Sequence, residues 1–262
     1  MSDYRFYGAD TADVRDENGL TPRFLYDLLT HIWCAETCAP RMRRDWSPEN
    51  PTLGQCSVTA FLAQDLFGGA VYGIPLGDGN FHCYNVVDGQ AFDLTSEQFG
   101  EAALQYENDP EQSREAHFAK EEKYARYLLL RRRLMAEYAV LLKHSGYNCC
   151  QAVLCAYARG SGLPAETLKK LGAGFGVGMG CMEATCGGLC AAQMLLGLAR
   201  YRGAPMLKEA KALHEAFTKA CGASVCRELK GVGSGDTLCE CDDCVRNAVR
   251  VLEQALETGR KQ

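Results

Sequence analysis

Between Thr21 and Trp33 the apolar residues Phe24, Leu25, Leu28, Leu29, Ile32 and Trp33 recur every three or four positions, the spacing of one helix face. The twenty or so residues before them carry no such pattern and are expected to be peripheral. Three prolines interrupt 38–54, which reads as a loop. A second helix is predicted over Cys56–Phe67, closed by Gly68-Gly69. The period then drops to two. AVYGIPL (70–76) reads as a strand, and 81–95 as a hairpin turning at Asp88-Gly89. Helical spacing returns from about 111 to about 143, where Phe118, Tyr124, Leu128, Leu129, Met135, Tyr138 and Leu142 interleave with charge.

Beyond His144-Ser145-Gly146 no strand pattern is found. Helices are predicted at about 148–159, 164–171, 184–201, 205–220 and 243–257. Two domains result. Residues 1–143 form an α+β domain of helices plus an antiparallel hairpin, small and papain/transglutaminase-like in its arrangement. Residues 144–262 form an all-α, cysteine-rich helical domain.

Charge changes the picture little. The net charge of −5 gives no case for nucleic acid or an anionic membrane surface, and Arg131-Arg132-Arg133 reads as a solvated helix face. The polar, acidic N-terminus has no apolar signal region and no run is long enough to span a bilayer, so a cytoplasmic protein is expected. Cysteine changes it a great deal. Of 15 cysteines, all but Cys34, Cys38, Cys56 and Cys83 lie between Cys149 and Cys244. In a reducing compartment such density points to metal, cluster or redox chemistry rather than to a disulfide scaffold.

The first candidate site follows from the hairpin. With Asp88-Gly89 as the turn, Val87 faces Gln90, Asn85 faces Phe92 and Tyr84 faces Asp93. Asp93 is then diagonal to His82 on one face, within side-chain reach, and is placed to hold the imidazole in one tautomer. Cys56 opens the preceding helix, where backbone N–H groups favour a thiolate. Gln55 is a candidate donor to a developing oxyanion. A cysteine at a helix start with an Asp-oriented histidine is the papain or transglutaminase arrangement, and the competing reading is a core thiol beside a structural His–Asp pair.

Trp46-Ser47-Pro48-Glu49-Asn50-Pro51, Gly54-Gln55-Cys56-Ser57-Val58-Thr59-Ala60, Gln64-Asp65 with Phe67-Gly68-Gly69, His82-Cys83-Tyr84-Asn85, and Asp93-Leu94-Thr95 with Gln98-Phe99 resemble the YunG-like family of bacterial proteins over roughly 22–142. The resemblance implies a small α+β fold and retains Cys56, His82 and Asp93 as motif positions. It implies no activity.

The second candidate site gathers cysteines near predicted helix starts: Cys149 and Cys150, Cys181 and Cys186, Cys226, and Cys239, Cys241 and Cys244. Each position is expected to lower a thiol pKa. Converging thiolates suit an iron–sulfur cluster or zinc, and pairs suit dithiol–disulfide cycling. Only Cys241 and Cys244 form a close CxxC, which is not the two-pair spacing of a zinc ribbon. Glycine at every second position from Gly172 to Gly180 is not a dinucleotide fingerprint, because a helix rather than a strand precedes it. Those glycines are expected to admit close backbone approach. Cys155 and Cys190 read as core residues, His144 and His214 as exposed ones.

Gly146-Tyr147-Asn148-Cys149-Cys150-Gln151-Ala152-Val153, Gly174-Phe175-Gly176, Glu183-Ala184-Thr185-Cys186-Gly187, Cys226-Arg227-Glu228-Leu229 and Cys241 ahead of Val245-Arg246 resemble the C-GCAxxG-C-C family, which is assigned to redox chemistry. The resemblance covers nearly all of 144–262. It implies Cys149, Cys186, Cys226 and Cys241 as cofactor- or metal-binding positions, with Cys244 competing for the last. The family's Cys-Gly-Ala-x-x-Gly stands here as Cys186-Gly187-Gly188-Leu189-Cys190-Ala191, and Cys150, Cys155, Cys181, Cys190, Cys221 and Cys239 are additional.

Three functions remain open from sequence. The leading one is a redox-active cysteine protein using thiol/disulfide or iron–sulfur chemistry with an unidentified redox partner. It expects Cys149, Cys186, Cys226 and Cys241 to converge within about 7 Å, sulfur to sulfur. The second is a hydrolase or acyl transferase with Cys56 as nucleophile. The third is a non-enzymatic metal-binding protein, with zinc as its metal.

Overall fold

A computed structural model describes residues 4–77, 79–100 and 104–258. Its contacts divide the chain into two compact units, Met1–Leu134 and Met135–Gln262.

In the first unit, α1 (Pro22–Thr30) starts where Thr21 accepts from the Phe24 N–H and Pro22 occupies the first turn. The helix stops short of the expected Trp33. Tight turns carry Ile32 and Trp33 into the core beside Leu25 and Leu29, whereas Phe24 points to solvent. α2 (Cys56–Phe67) is buried along most of its length. Strands β1 (Ala70–Pro75), β2 (Phe81–Val87) and β3 (Gln90–Phe92) form an antiparallel sheet in that order. The hairpin pairs Val87 with Gln90 and Asn85 with Phe92, and Asp88 and Gly89 both adopt positive φ, as a two-residue turn requires.

Three further expectations fail in this unit. The N-terminal segment is not peripheral: Phe6, Ala9, Val14 and Leu20 are buried. Nor does Tyr84 pair with Asp93 in the ladder. The β2–β3 ladder ends at Phe92, and Asp93 bridges to Tyr7, its N–H donating to the Tyr7 carbonyl at 3.0 Å. The predicted long helix is also divided, into α3 (Arg114–Phe118) and α4 (Glu121–His144). The break lets Arg114 lie on α2, donating to the Phe61 carbonyl and to Asp65, each at 2.7 Å.

The second unit contains the end of α4, then α5 (Cys149–Ala156), α6 (Ala158–Ser161), α7 (Ala165–Gly172), α8 (Gly176–Met179), α9 (Gly187–Arg200), α10 (Leu207–Cys221), α11 (Cys226–Leu229) and α12 (Cys241–Thr258). No strand longer than an isolated bridge occurs among its described residues. α9 packs on both α5 and α12, and α10 on α12. Their apolar faces bury Leu154, Leu189, Leu196, Phe217, Val249 and Leu252. A capping box opens α5: Asn148 accepts from Cys150 and Gln151 N–H, and the Gln151 side chain accepts from Asn148 N–H. Asn148→Ala should lower stability in urea by about 1 kcal/mol, the usual worth of such a cap. An unchanged midpoint would show that tertiary packing alone holds this helix start.

No described helix is long and apolar enough to cross a membrane.

Candidate functional site

Three elements of the first unit meet at Cys56. The cysteine is the first residue of α2, with His82 and Cys83 on β2 and Asp93 just beyond β3. His82 and Asp93 are each 1% exposed, and His82 Nε2 donates to Asp93 Oδ2 at 2.5 Å. Asp93 also accepts from Tyr106 Oη, Thr95 N and Thr95 Oγ1, each at 3.0 Å. With Nε2 occupied, Nδ1 is the working nitrogen, and Gln98 Nε2 lies 3.5 Å from it.

Burial alone lowers the His82 pKa. Hydrogen bonds and charge from Asp93 and Cys56 outweigh that and lift it to about 10. The Cys56 thiol moves the other way. A hydrogen bond from the Cys83 thiol, opposed by burial and aided by His82, brings it well below its ordinary value. Cys83, buried and facing that thiolate, is pushed well up. These shifts favour a Cys56 thiolate beside a His82 imidazolium, with Cys83 holding its proton. Gln98 and Tyr106 also line a cavity of about 790 Å³, together with Arg5, Glu49 and Thr52. Gln55 is fully buried, and its amide N–H donates to the Cys34 carbonyl at 3.1 Å, while its Oε1 has no hydrogen-bond partner among the described residues.

No disulfide joins the cysteines among the described residues. In the second unit the Sγ atoms of Cys221, Cys239 and Cys244 lie within 4.8 Å of one another, and all three residues are buried. Cys221 ends α10, Cys239 precedes α12 and Cys244 lies in the first turn of α12. Cys186, the N-cap of α9, reaches the same group through a hydrogen bond with Cys244. That bond, with the N–H groups of Leu189 and Gly188, outweighs burial and brings Cys186 down to about 7. Cys221 falls to about 6, chiefly through Cys244, with help from Asn247 and Cys239. Cys244 is pushed far up, because it shares its proton with Cys186 and Cys221.

The other implied positions lie around Cys186. An isolated bridge pairs Thr185 with Val225; Cys186 N–H donates to the Ser224 carbonyl at 2.8 Å, and Cys226 N–H to the Ala184 carbonyl at 3.0 Å. Cys186 and Cys226 are thereby diagonal neighbours on one face. A Cβ on Gly187 would stand 2.6 Å from Cys149 Sγ, and one on Gly178, whose φ is +54°, would stand 2.6 Å from Cys226 Cβ. These two glycines are the space the cysteines occupy. Cys149 feels the charges of Cys186, Cys241 and Cys226.

The expectation that every helix start lowers its thiol holds at Cys186 and fails at Cys149, Cys150, Cys226, Cys239 and Cys244. Burial, with repulsion from the neighbouring sulfurs, lifts Cys149 to about 11 and raises Cys226 as well. One helix terminus does not offset the loss of water around a thiolate.

Residues 21–139 match the family model described as "YunG protein". The YunG protein of Bacillus subtilis (strain 168) is 41% identical over 80 residues, which cover 30% of this chain and 68% of that protein. The chain belongs to the YunG family. Residues 147–255 match a second model, described as "Putative redox-active protein (C_GCAxxG_C_C)". No solved structure matches the chain significantly.

In the YunG half the structure brings Cys56, His82 and Asp93 together and turns the Gln55 amide toward Cys34. Sequence reasoning passed over Cys83, because its place next to His82 on a strand puts the two side chains on opposite faces. In the C_GCAxxG_C_C half the tightest thiol group is not the family four. It consists of Cys244, the competing choice, with Cys221 and Cys239, which stood as additional cysteines. The clustering of Cys239, Cys241 and Cys244 was a usable signal; nothing local pointed to Cys221. Cys155 is fully buried in α5, Cys190 only half-buried in α9, His214 is exposed, and His144 is exposed and paired with Asp242.

Proposed function

We propose that the C-terminal unit is a redox module centred on a thiolate-bound iron–sulfur cluster, with Cys221, Cys239 and Cys244 as ligands and Cys186 as the fourth. The reading is carried by three buried sulfurs within 4.8 Å of one another. Three thiols this close, with Cys186 hydrogen-bonded to one of them, do not all ionise unaided, since each thiolate repels the next and Cys244 retains its proton. A soft cation takes the place of that shared proton and makes every sulfur a ligand. All-sulfur sets select zinc or iron–sulfur, and only the latter changes oxidation state. A reducing cytoplasm and an electron-transfer partner fit cysteines that form no disulfide among the described residues.

The test is metal and sulfide analysis, with visible absorption, of full-length protein prepared without oxygen. Iron and sulfide with a visible band are expected, lost at least about ten-fold in Cys221→Ser/Cys239→Ser and kept in Cys149→Ser/Cys226→Ser. The reverse pattern would move the ligands to the family positions. Stoichiometric zinc without iron would leave a structural metal site, and no metal at all would leave thiol exchange.

A second reading is favoured by the His82–Asp93 pair beside Cys56: a papain/transglutaminase-type cysteine nucleophile for hydrolysis or acyl transfer. Iodoacetamide should label Cys56 selectively at neutral pH, at a rate that depends on His82. Equal labelling of Cys56 and Cys83 would rule it out.

A further inference from the structure

β2 lies along α2 in a register that sets Cys83 against Cys56. Asn85 Nδ2 donates to the Ala60 carbonyl at 2.8 Å, which clamps the strand to the helix at that point. Four residues back along the helix from Ala60 is Cys56, a distance of about 6 Å. Two residues back along the strand from Asn85 is Cys83, about 6.8 Å and on the same face. The two steps match, so the thiols stand opposite each other as Asn85 and Ala60 do. The Cys83 thiol and backbone N–H both reach the Cys56 sulfur, and His82 touches that sulfur from the neighbouring strand position. Cys83 is 3% exposed and Cys56 is partly open, so an external reagent meets Cys56 first. The acyl-transfer reading gives this second thiol no task.

We propose that Cys83 is the resolving thiol of Cys56, and that the pair cycles between dithiol and disulfide with a low-molecular-weight disulfide as its oxidant. The proposal rests on the reading of Cys56 as a nucleophile. In the first step the Cys56 thiolate attacks one sulfur of R–S–S–R. A Cys56–S–S–R bond forms and R–S⁻ leaves, taking the proton held by His82. In the second step Cys83 gives up its proton and attacks the Cys56 sulfur. The intramolecular disulfide forms, and the second R–S⁻ leaves with the Cys83 proton. Two protein thiols have been oxidised, one external disulfide has been reduced to two thiols, and His82 is neutral. The reverse sequence, driven by an external thiol, restores the pair. Burial brings the Lys123 pKa down against the opposing charges of Cys83 and Cys56, and the same attraction favours the Cys83 thiolate while it attacks.

The test treats the full-length protein with oxidised glutathione at neutral pH, quenches with acid and maps peptides by mass spectrometry. Wild type should yield a Cys56–Cys83 cross-link and almost no retained glutathione. Cys83→Ser and Cys83→Ala should each hold glutathione on Cys56 at a level at least about ten-fold above wild type, since the resolving attack is gone. Equal glutathione retention in wild type and both variants overturns the proposal. If Cys56 is rapidly alkylated by iodoacetamide yet forms no cross-link, only the resolving role falls. If Cys56 reacts with neither reagent, the nucleophile reading falls with it.

Discussion

Asp93→Ala should destabilise the YunG half by about 3–5 kcal/mol and slow alkylation of Cys56 at pH 7 by about ten-fold. Asp93 is 1% exposed and accepts four hydrogen bonds, from His82, Tyr106 and both donors of Thr95. Its removal leaves those donors buried without an acceptor and an imidazolium without its counter-charge. The slower alkylation follows from the thiolate fraction. Removing Asp93 weakens the His82 charge that helps hold the thiolate, while the Cys83 hydrogen bond remains, so the ionised fraction falls toward the few per cent of an ordinary cysteine at pH 7 without reaching it. The lower nucleophilicity of a low-pKa thiolate offsets part of the difference, leaving about ten-fold.

The pH dependence has a definite sign. The folded His82 pKa of about 10 stands above its ordinary 6.5. Its charged pairing therefore contributes fully below about pH 6.5, and the contribution is lost as pH rises through about 10. The gap between wild type and Asp93→Ala, read from urea unfolding, should narrow from pH 6 to pH 10 and not close, because the Thr95 and Tyr106 bonds do not titrate in that range. A gap of equal size at both ends would mean that His82 is neutral in the folded protein.

Gly187→Ala should cost about 1–3 kcal/mol, the range for overpacking a close-packed core, and should dislodge Cys149. The new Cβ would stand 2.5 Å from the Phe175 carbonyl oxygen and 2.6 Å from Cys149 Sγ. A backbone oxygen on one side leaves the thiol as the group that must move. Gly188→Ala is the control. Its Cβ would meet Ala248 Cβ at 3.4 Å and the Cys244 carbonyl at 3.6 Å, close to ordinary contact. It restores the Cys-Gly-Ala order of the family and adds helix propensity of up to about 1 kcal/mol. Urea midpoints together with the rate at which a thiol reagent reaches Cys149 decide both. A Gly187→Ala protein with wild-type stability and a still-protected Cys149 would remove the packing role assigned to Gly187.

Much of the fold was legible because its causes are local. Asp88-Gly89 favours positive φ at two successive residues, and the turn then sets the register Val87–Gln90 and Asn85–Phe92. His82 and Asp93 could be brought together from that register even though the Tyr84–Asp93 ladder pairing was misjudged. Asp93 pairs with Tyr7, and nothing local in the first residues of the chain announces that they return to the sheet edge. The break between α3 and α4 was equally hidden, since it serves Arg114 binding to α2, an element some fifty residues earlier.

The sequence by itself determined the helical and strand periods, the hairpin register, the all-helical character of the second half, and the cysteines available for chemistry. These depend on backbone sterics and on which face is apolar, both of which act over a few residues. Only the tertiary structure decided which sulfurs meet. Cys221, Cys239 and Cys244 come together because α10 packs on α12 and the segment between them folds back. Cys83 meets Cys56 because one hydrogen bond clamps β2 to α2. It also decided the sign of each thiol's shift, for burial and neighbouring sulfurs outweigh the helix terminus at Cys149 and Cys226, and a donated hydrogen bond reverses the balance at Cys186.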